Sequence, residues 1–279
     1  MSSDNKFTHI KNMVFEGGGI LGVSYVGAIE ELSKHIDFNK IHHYAGTSAG
    51  AIMAALLACR VDINELNKIM VNANFSSFVD TKISNIILLP YTYGLCGGKK
   101  FESWLFAVIK DLTGIHDPSL KQIYELFGTT FTCAVTNIST GHVEYFNTDT
   151  HPNMSLVTCI RASASIPFIF NPVCIDGSLY IDGGLIDNFM TAKFDPKHTL
   201  GFSLIKSRQV VEVTSLLTYI HAIVNTIINS YTDHTCDIIK IACKEKSPIN
   251  FNMCRDDLNE LVLCGKSASA EYIKRKLSE

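Results

Sequence analysis

Apolar residues early in the chain fall into two alternating kinds of block. Residues 12–15 (Asn-Met-Val-Phe) and 41–45 (Ile-His-His-Tyr-Ala) are short, largely apolar stretches that read as strands, and each leads into a glycine-containing bend. After each bend the spacing turns helical: Val23, Val26, Ile29 and Leu32 mark one face after the first, and small apolar residues fill 49–59 after the second. Asp62 with Glu65 three residues on gives a capping-box-like start to a third helix over 63–73. This βαβα rhythm predicts an α/β fold: a three-layer sandwich with a central, mostly parallel sheet flanked by helices.

The rhythm breaks over 75–98. Residues 86–91 are strongly apolar, and Gly94, Gly97 and Gly98 interrupt the stretch after them. The segment reads as a helix or strand packed on the core, with a mobile lid or an interfacial anchor as the alternative. Residues 99–112 then predict an amphipathic helix around Trp104, the only tryptophan, and 119–127 a shorter one. Strands over 130–137 and 142–147 are joined by Ser-Thr-Gly as a hairpin. A helix over 153–165 turns Cys159 and Ile160 inward and stops at Pro167; 199–205 is expected to be the last central strand.

Residues 211–243 carry Leu216, Leu217, Ile220, Ile223, Val224, Ile227, Ile228 and Tyr231 at spacings of three and four, a long helical pattern. Core packing accounts for it, with a dimer interface as the alternative. The tail 266–279 reads as a charged, solvated helix. With no internal repeat, low-complexity run or linker, the expectation is one catalytic unit over 10–205, with C-terminal helices over 206–279 packed on it.

Composition narrows the partners. A chain of 279 residues supports one α/β domain with ample core, and 47% hydrophobic residues with a mean hydropathy of +0.17 indicate an appetite for lipid. A net charge of −3 leaves no footprint for nucleic acid, and no basic block marks an anionic membrane. Any membrane contact is expected to be transient and hydrophobic. The first residues lack a signal-peptide core and a myristoylation glycine, and no stretch reaches transmembrane length. Nine scattered cysteines without CxxC pairs suggest reduced thiols, hence a cytoplasmic or otherwise reducing compartment with peripheral membrane contact at most.

Three motifs carry candidate chemistry. The first is Gly46-Thr47-Ser48-Ala49-Gly50 between the second strand and its helix. A turn this sharp leaves no room for side chains at the flanking positions, so glycines there expose the serine hydroxyl as a nucleophile elbow does. The alternative is a glycine-flanked serine that merely caps the helix.

The second is Glu16-Gly17-Gly18-Gly19-Ile20-Leu21-Gly22, where bare backbone amides and a helix N-terminus can converge on an anion. Gly17, Gly19 and Gly22 also satisfy GxGxxG, so dinucleotide binding is the alternative; its ribose-binding carboxylate would have to be Asp37, which precedes the second strand instead of ending it. The third is Tyr180-Ile181-Asp182-Gly183-Gly184-Leu185-Ile186-Asp187-Asn188, where an apolar strand delivers the carboxylate of Asp182 onto a glycine-rich bend, or else an ordinary hairpin aspartate.

In this order, over roughly residues 10–205, the three motifs resemble those of the patatin-like phospholipases, which pair a glycine-rich loop with a GxSxG elbow and a DGG or DGA aspartate. The resemblance implies a Ser-Asp dyad without histidine: Ser48 as nucleophile, Asp182 as base, and the amides of Gly18, Gly19 and Ala49 as oxyanion hole. The segment 161–168 is similar to the one that precedes the aspartate in that family. Two positions depart from the pattern: Leu21 replaces a loop Arg or Lys, which puts head-group preference in question, and Met190 stands where proline is frequent, which suggests a looser backbone.

A Ser-His-Asp triad on an α/β-hydrolase fold is the nearest enzymatic rival, with His221 and His234 following Asp182 in the chain. That fold places several strands ahead of its nucleophile, whereas here only one strand-helix unit precedes Ser48. The implied activity is hydrolysis of fatty-acyl esters of phospholipids or related glycerolipids through an acyl-enzyme, without metal or organic cofactor. Acyl transfer to another acceptor uses the same residues.

Overall fold

The computed structural model describes residues 6–79, 83–205, 235–243 and 246–279, with a few isolated positions between 213 and 226. Its strands are β1 (Asn12–Phe15), β2 (His43–Thr47), β3 (Gly94–Cys96), β4 (Thr130–Asn137), β5 (His142–Asn147), β6 (Phe168–Phe170), β7 (Val173–Ile175), β8 (Ser178–Asp182), β9 (Thr199–Ile205) and β10 (Asp237–Ala242). The helices are α1 (Ser24–Leu32), α2 (Ala49–Ala58), α3 (Ile63–Val71), α4 (Phe75–Phe78), α5 (Ile83–Thr92), α6 (Lys99–Thr113), α7 (Leu120–Phe127), α8 (Leu156–Ser163) and α9 (Arg255–Ser278).

Strands β10, β9, β1, β2 and β4 run parallel in that order, and β5, β7 and β8 extend the sheet antiparallel, for eight strands in all. The short apolar runs make the parallel strands because helices must then cover them. Pleating divides β1: Met13 and Phe15 enter the larger core, whereas Val14 joins Ala45, Ala134, Phe189 and Met190 in a smaller one. Helix α2, apolar on every side, is buried through Gly50–Ala58. The fold is therefore the mostly parallel, helix-flanked α/β sheet expected.

The register around β4 decides where the chemistry sits. One edge of β4 pairs with β5 from Thr132 to Asn137. Its other edge is consequently shared: β2 occupies Thr130–Ala134 and β8 occupies Val135–Asn137, meeting nearly end to end. Thr47 lies opposite Ala134 and Asp182 opposite Val135, so the ends of two strands remote in sequence become neighbours.

Four expectations change. Strand β9 is interior, because β10 pairs along its outer edge, so the helical reading of 211–243 fails at least over Asp237–Ala242. Most of the remaining 211–234 stretch lies outside the described residues, as do its His221 and His234. The tail is not simply solvated: α9 packs along α1, burying Leu258, Leu261, Val262, Gly265, Ser269, Tyr272 and Ile273. Helix α5 is not wholly core, since Ile87 is 71% and Tyr91 80% exposed.

Candidate active site

The elbow forms where β2 runs into α2. Ser48 sits between them at φ 54° and ψ −121°, backbone angles that an L-residue adopts only under constraint. Its side chain makes no capping bond to the helix, although it holds the capping position. The carbonyl of Ser48 instead starts the helix, accepting from the Ala51 and Ile52 amides at 2.9 and 3.3 Å. The flanking glycines are required by packing: a Cβ on Gly46 would overlap the Gly50 carbonyl, and one on Gly50 would overlap the Phe15 carbonyl at the end of β1. The missing cap bond sets Ser48 apart from a simple capping serine.

Behind Ser48 lies a buried relay. Its amide donates to the Ser163 hydroxyl at 3.0 Å, and that hydroxyl donates to the Ala134 carbonyl at 2.7 Å. Ser163, at the end of α8, is fully buried.

The glycine loop divides its amides between structure and open space. Gly17 donates to the Asn188 carbonyl at 3.0 Å and Ile20 to the Pro248 carbonyl at 2.9 Å. Among the described residues nothing accepts from the amides of Gly18, Gly19 or Ala49. Gly19 adopts φ 55° beneath Pro248, whose carbonyl a Cβ would strike. Gly22 stands against the elbow helix, where a Cβ would come within 2.8 Å of Ala49 Cβ.

Glu16 fixes the loop's base. One carboxylate oxygen accepts from Asn188 Nδ2 at 3.0 Å, and the other from Ser203 Oγ at 2.7 Å and the Leu204 amide at 2.8 Å. The end of β1 is thus tied to β9 and to the loop after Asp182.

Asp182 is only 6% exposed. Its Oδ1 accepts from the Gly184 amide at 2.8 Å, its own amide donates to the Ser165 carbonyl at 3.0 Å, and its carbonyl accepts from Thr136 Oγ1 at 2.9 Å. The bond to Gly184 is what a hairpin aspartate makes. Burial beside the elbow is not something a hairpin requires. Gly183 lies so close over Ala134 that a Cβ would overlap its carbonyl, and Gly184 faces the carboxylate. Farther along, the Asp187 carbonyl accepts from Thr47 Oγ1 at 2.9 Å, pinning this loop to the residue before Ser48.

A pocket of about 430 Å³, counting its open mouth, begins at Ser48. Gly19, Ile20, Ala49 and Ile52 form one side; Phe75, Phe78, Phe101, Phe170 and Phe251 supply most of the rest. Among the described residues no titratable side chain lines it, so backbone amides are the positive groups available to a developing anion there.

The glycine loop and the elbow share this pocket through Gly19, Ile20, Ser48 and Ala49, whereas Asp182 is brought next to the elbow strand by the register along β4 and is not among the pocket's lining residues. Ser163, Glu16 and Asn188 are additions that sequence reading passed over, although each lies inside a motif or segment already singled out. Asp37 is at the wrong end of the sheet for a dinucleotide: its carboxylate accepts from the Asn39 amide ahead of β2. Leu21 is fully buried under the loop, so this chain carries no cation at that point. Met190 is packed at 1% exposure with φ −70°, an angle that proline would also adopt.

A family model described as patatin-like phospholipase matches residues 13–195, well over half of the chain. The chain belongs to the patatin-like phospholipase family. Its relatives include the uncharacterized protein R571 of Acanthamoeba polyphaga mimivirus, 28% identical over 96% of this chain and 95% of that one. The probable lipid hydrolase 463L of Invertebrate iridescent virus 6 is 25% identical over 96% of this chain and 90% of its own. In architecture the protein is similar to VipD from Legionella pneumophila, with a TM-score of 0.74 at 16% identity over 96% of this chain and 67% of VipD. Family and relatives together support lipid hydrolysis as the class of activity.

Proposed function

We propose that this patatin-like protein is a serine acyl hydrolase of phospholipase A type, cleaving fatty-acyl esters of phospholipids or related glycerolipids through an acyl-enzyme. The observation that carries this reading is Ser48: a residue of strained backbone whose side chain makes no bond to the helix it precedes and which lines an apolar pocket.

In this reading Ser48 Oγ attacks the ester carbonyl while the Asp182 carboxylate accepts its proton. The carbonyl oxygen becomes an oxyanion, stabilised by the amides of Gly18, Gly19 and Ala49; one such donor is worth about 3 to 4 kcal/mol in other enzymes. Collapse expels the alcohol, which recovers the proton from Asp182 and leaves the acyl group on Ser48. Water then attacks the acyl-enzyme, gives its proton to the same carboxylate, and the fatty acid leaves as Ser48 is reprotonated. Aspartate is a weak base, with an ordinary pKa of about 3.9, so esters are favoured over amides. The phenylalanine-lined pocket suits the acyl chain.

A fluorophosphonate probe tests the assignment. Wild-type protein is expected to be labelled and Ser48→Ala not, while Asp182→Asn folds yet loses lipid hydrolysis. Labelling of Ser48→Ala would overturn the nucleophile, and full activity in Asp182→Asn would overturn the base. Product analysis with glycerol or a lysolipid present separates hydrolysis from acyl transfer.

A further inference from the structure

Helix α5 turns Ile87, Leu88 and Tyr91 outward on adjacent turns, at 71%, 48% and 80% exposure. It packs against β3, which pairs in parallel with β6, Gly94 opposite Phe168. Two more exposed aromatics flank that pair: Tyr93 at 58% and Phe168 at 39%. Both adopt positive φ, 59° and 65°, a conformation that costs an aromatic residue free energy and is retained only where the surroundings impose it.

The loops beside them are cross-linked. The buried Arg161 guanidinium donates to the Gly97 and Asn171 carbonyls, both at 3.2 Å, and lies over the Phe170 ring, clamping the loops that follow β3 and β6.

The patch is continuous in chain with the wall of the apolar pocket. Phe75 and Phe78 of α4 lead toward α5, and Phe170 stands two residues beyond Phe168. Its named members carry no charge. Tyrosines with an apolar body and a polar tip beside exposed aliphatics suit the boundary between acyl chains and head groups better than bulk water.

We propose that the rim formed by Ile87, Leu88, Tyr91, Tyr93 and Phe168 docks on a phospholipid bilayer and presents the pocket to it. This deepens the lipid acyl hydrolase reading and rests on it for its purpose. Anchoring is by insertion of apolar side chains, so it depends little on lipid charge or salt.

The test is flotation of the whole protein with phosphatidylcholine vesicles. Wild type is expected to float, equally at low and raised salt, and the double variant Ile87→Asp/Tyr91→Asp to bind about tenfold less or weaker. Both side chains are exposed, so turnover of a short-chain ester below its critical micelle concentration should stay within about twofold. Equal flotation of the variant, or none by wild type, overturns the proposal.

Absence of ester turnover in both proteins would count against the hydrolase reading and leave flotation to decide the docking surface. A second probe avoids substitution by charge: in Trp104→Phe/Tyr91→Trp the single indole should be quenched by brominated lipid, and an unquenched indole contradicts insertion. Self-association abolished by Ile87→Asp/Tyr91→Asp, without vesicle binding, would overturn docking on lipid and assign the face to a second copy of the chain.

Discussion

The amide of Ser48 and the hydroxyl of Ser163 are 3.0 Å apart, and this bond holds the strained elbow against the sheet. Ser163→Ala removes the acceptor for that amide and the donor to Ala134, leaving two buried backbone groups unpaired. The expected cost is about 1–3 kcal/mol, read as a lower urea midpoint at unchanged m-value. Relaxation of the elbow should also slow fluorophosphonate labelling well below the melting temperature. A variant that loses stability but labels at the wild-type rate would limit Ser163 to a structural part.

Glu16 positions the glycine loop through both carboxylate oxygens. Glu16→Gln keeps the shape but turns an NH₂ toward either the Asn188 donor or the Ser203 and Leu204 donors. Donor then faces donor. Loss of a hydrogen bond to a charged group costs about 1.5–3 kcal/mol, so a clear drop in stability is expected. Because the neighbouring amides are the proposed oxyanion donors, kcat should fall more than KM rises. Wild-type kinetics in Glu16→Gln would uncouple this carboxylate from the site.

The three motifs were legible because each is a local event: a strand end, glycines and a helix start within a few residues. What joins them was not. Nothing near Asp182 in the sequence says that β8 shares an edge of β4 with β2, which depends on a register between strands about fifty residues apart. Strand β10 was hidden because Ile238, Ile239 and Ile241 prolong an apolar pattern already read as helical; their β-branched run was the contrary signal. The tail looked solvated because its charges are conspicuous while the buried stripe of α9 contains Gly265 and Ser269, residues no hydropathy pattern marks. For α5 the sequence left two readings open, because an apolar run is equally what a core helix and an interfacial anchor require, and the exposure of Ile87 and Tyr91 falls on the side of the alternative.

His43 sets an acid limit on stability. Burial pushes its imidazole down to about 4, against a partial opposing pull from Asp149. The ring is hydrogen-bonded to Thr132 Oγ1 at 2.8 Å and edge-on to Phe194. The unfolded chain takes up this proton near pH 6.5, whereas the native protein resists it until about 4. The contribution of this group is therefore intact above pH 6.5, declines as pH falls through that window, and levels off below it. The total is at most about 3 kcal/mol. Thermal melting from pH 7.5 to 4 should show the decline, and His43→Gln should flatten it; an unchanged profile would mean that other groups govern acid sensitivity.

Docking of α9 on α1 depends on two glycines that let the helix backbones touch. A Cβ on Gly27 would overlap the Val262 carbonyl, and one on Gly265 would overlap the Ser24 carbonyl. Helix propensity alone makes Gly265→Ala stabilising by roughly 1 kcal/mol. Overpacking opposes it by about 1–3 kcal/mol, and the obstructing atom is backbone, which cannot rotate aside. The net expectation is destabilisation, steeper for Gly265→Leu. Separation of the helices would also disturb the Lys266–Glu30 ion pair at 2.7 Å. Ser267→Ala, on the exposed side of the same helix, serves as the control within about 0.5 kcal/mol. Denaturant curves that rank Gly265→Ala as stable as Ser267→Ala would show that the helices can part without cost, and that the tail is an appendage after all.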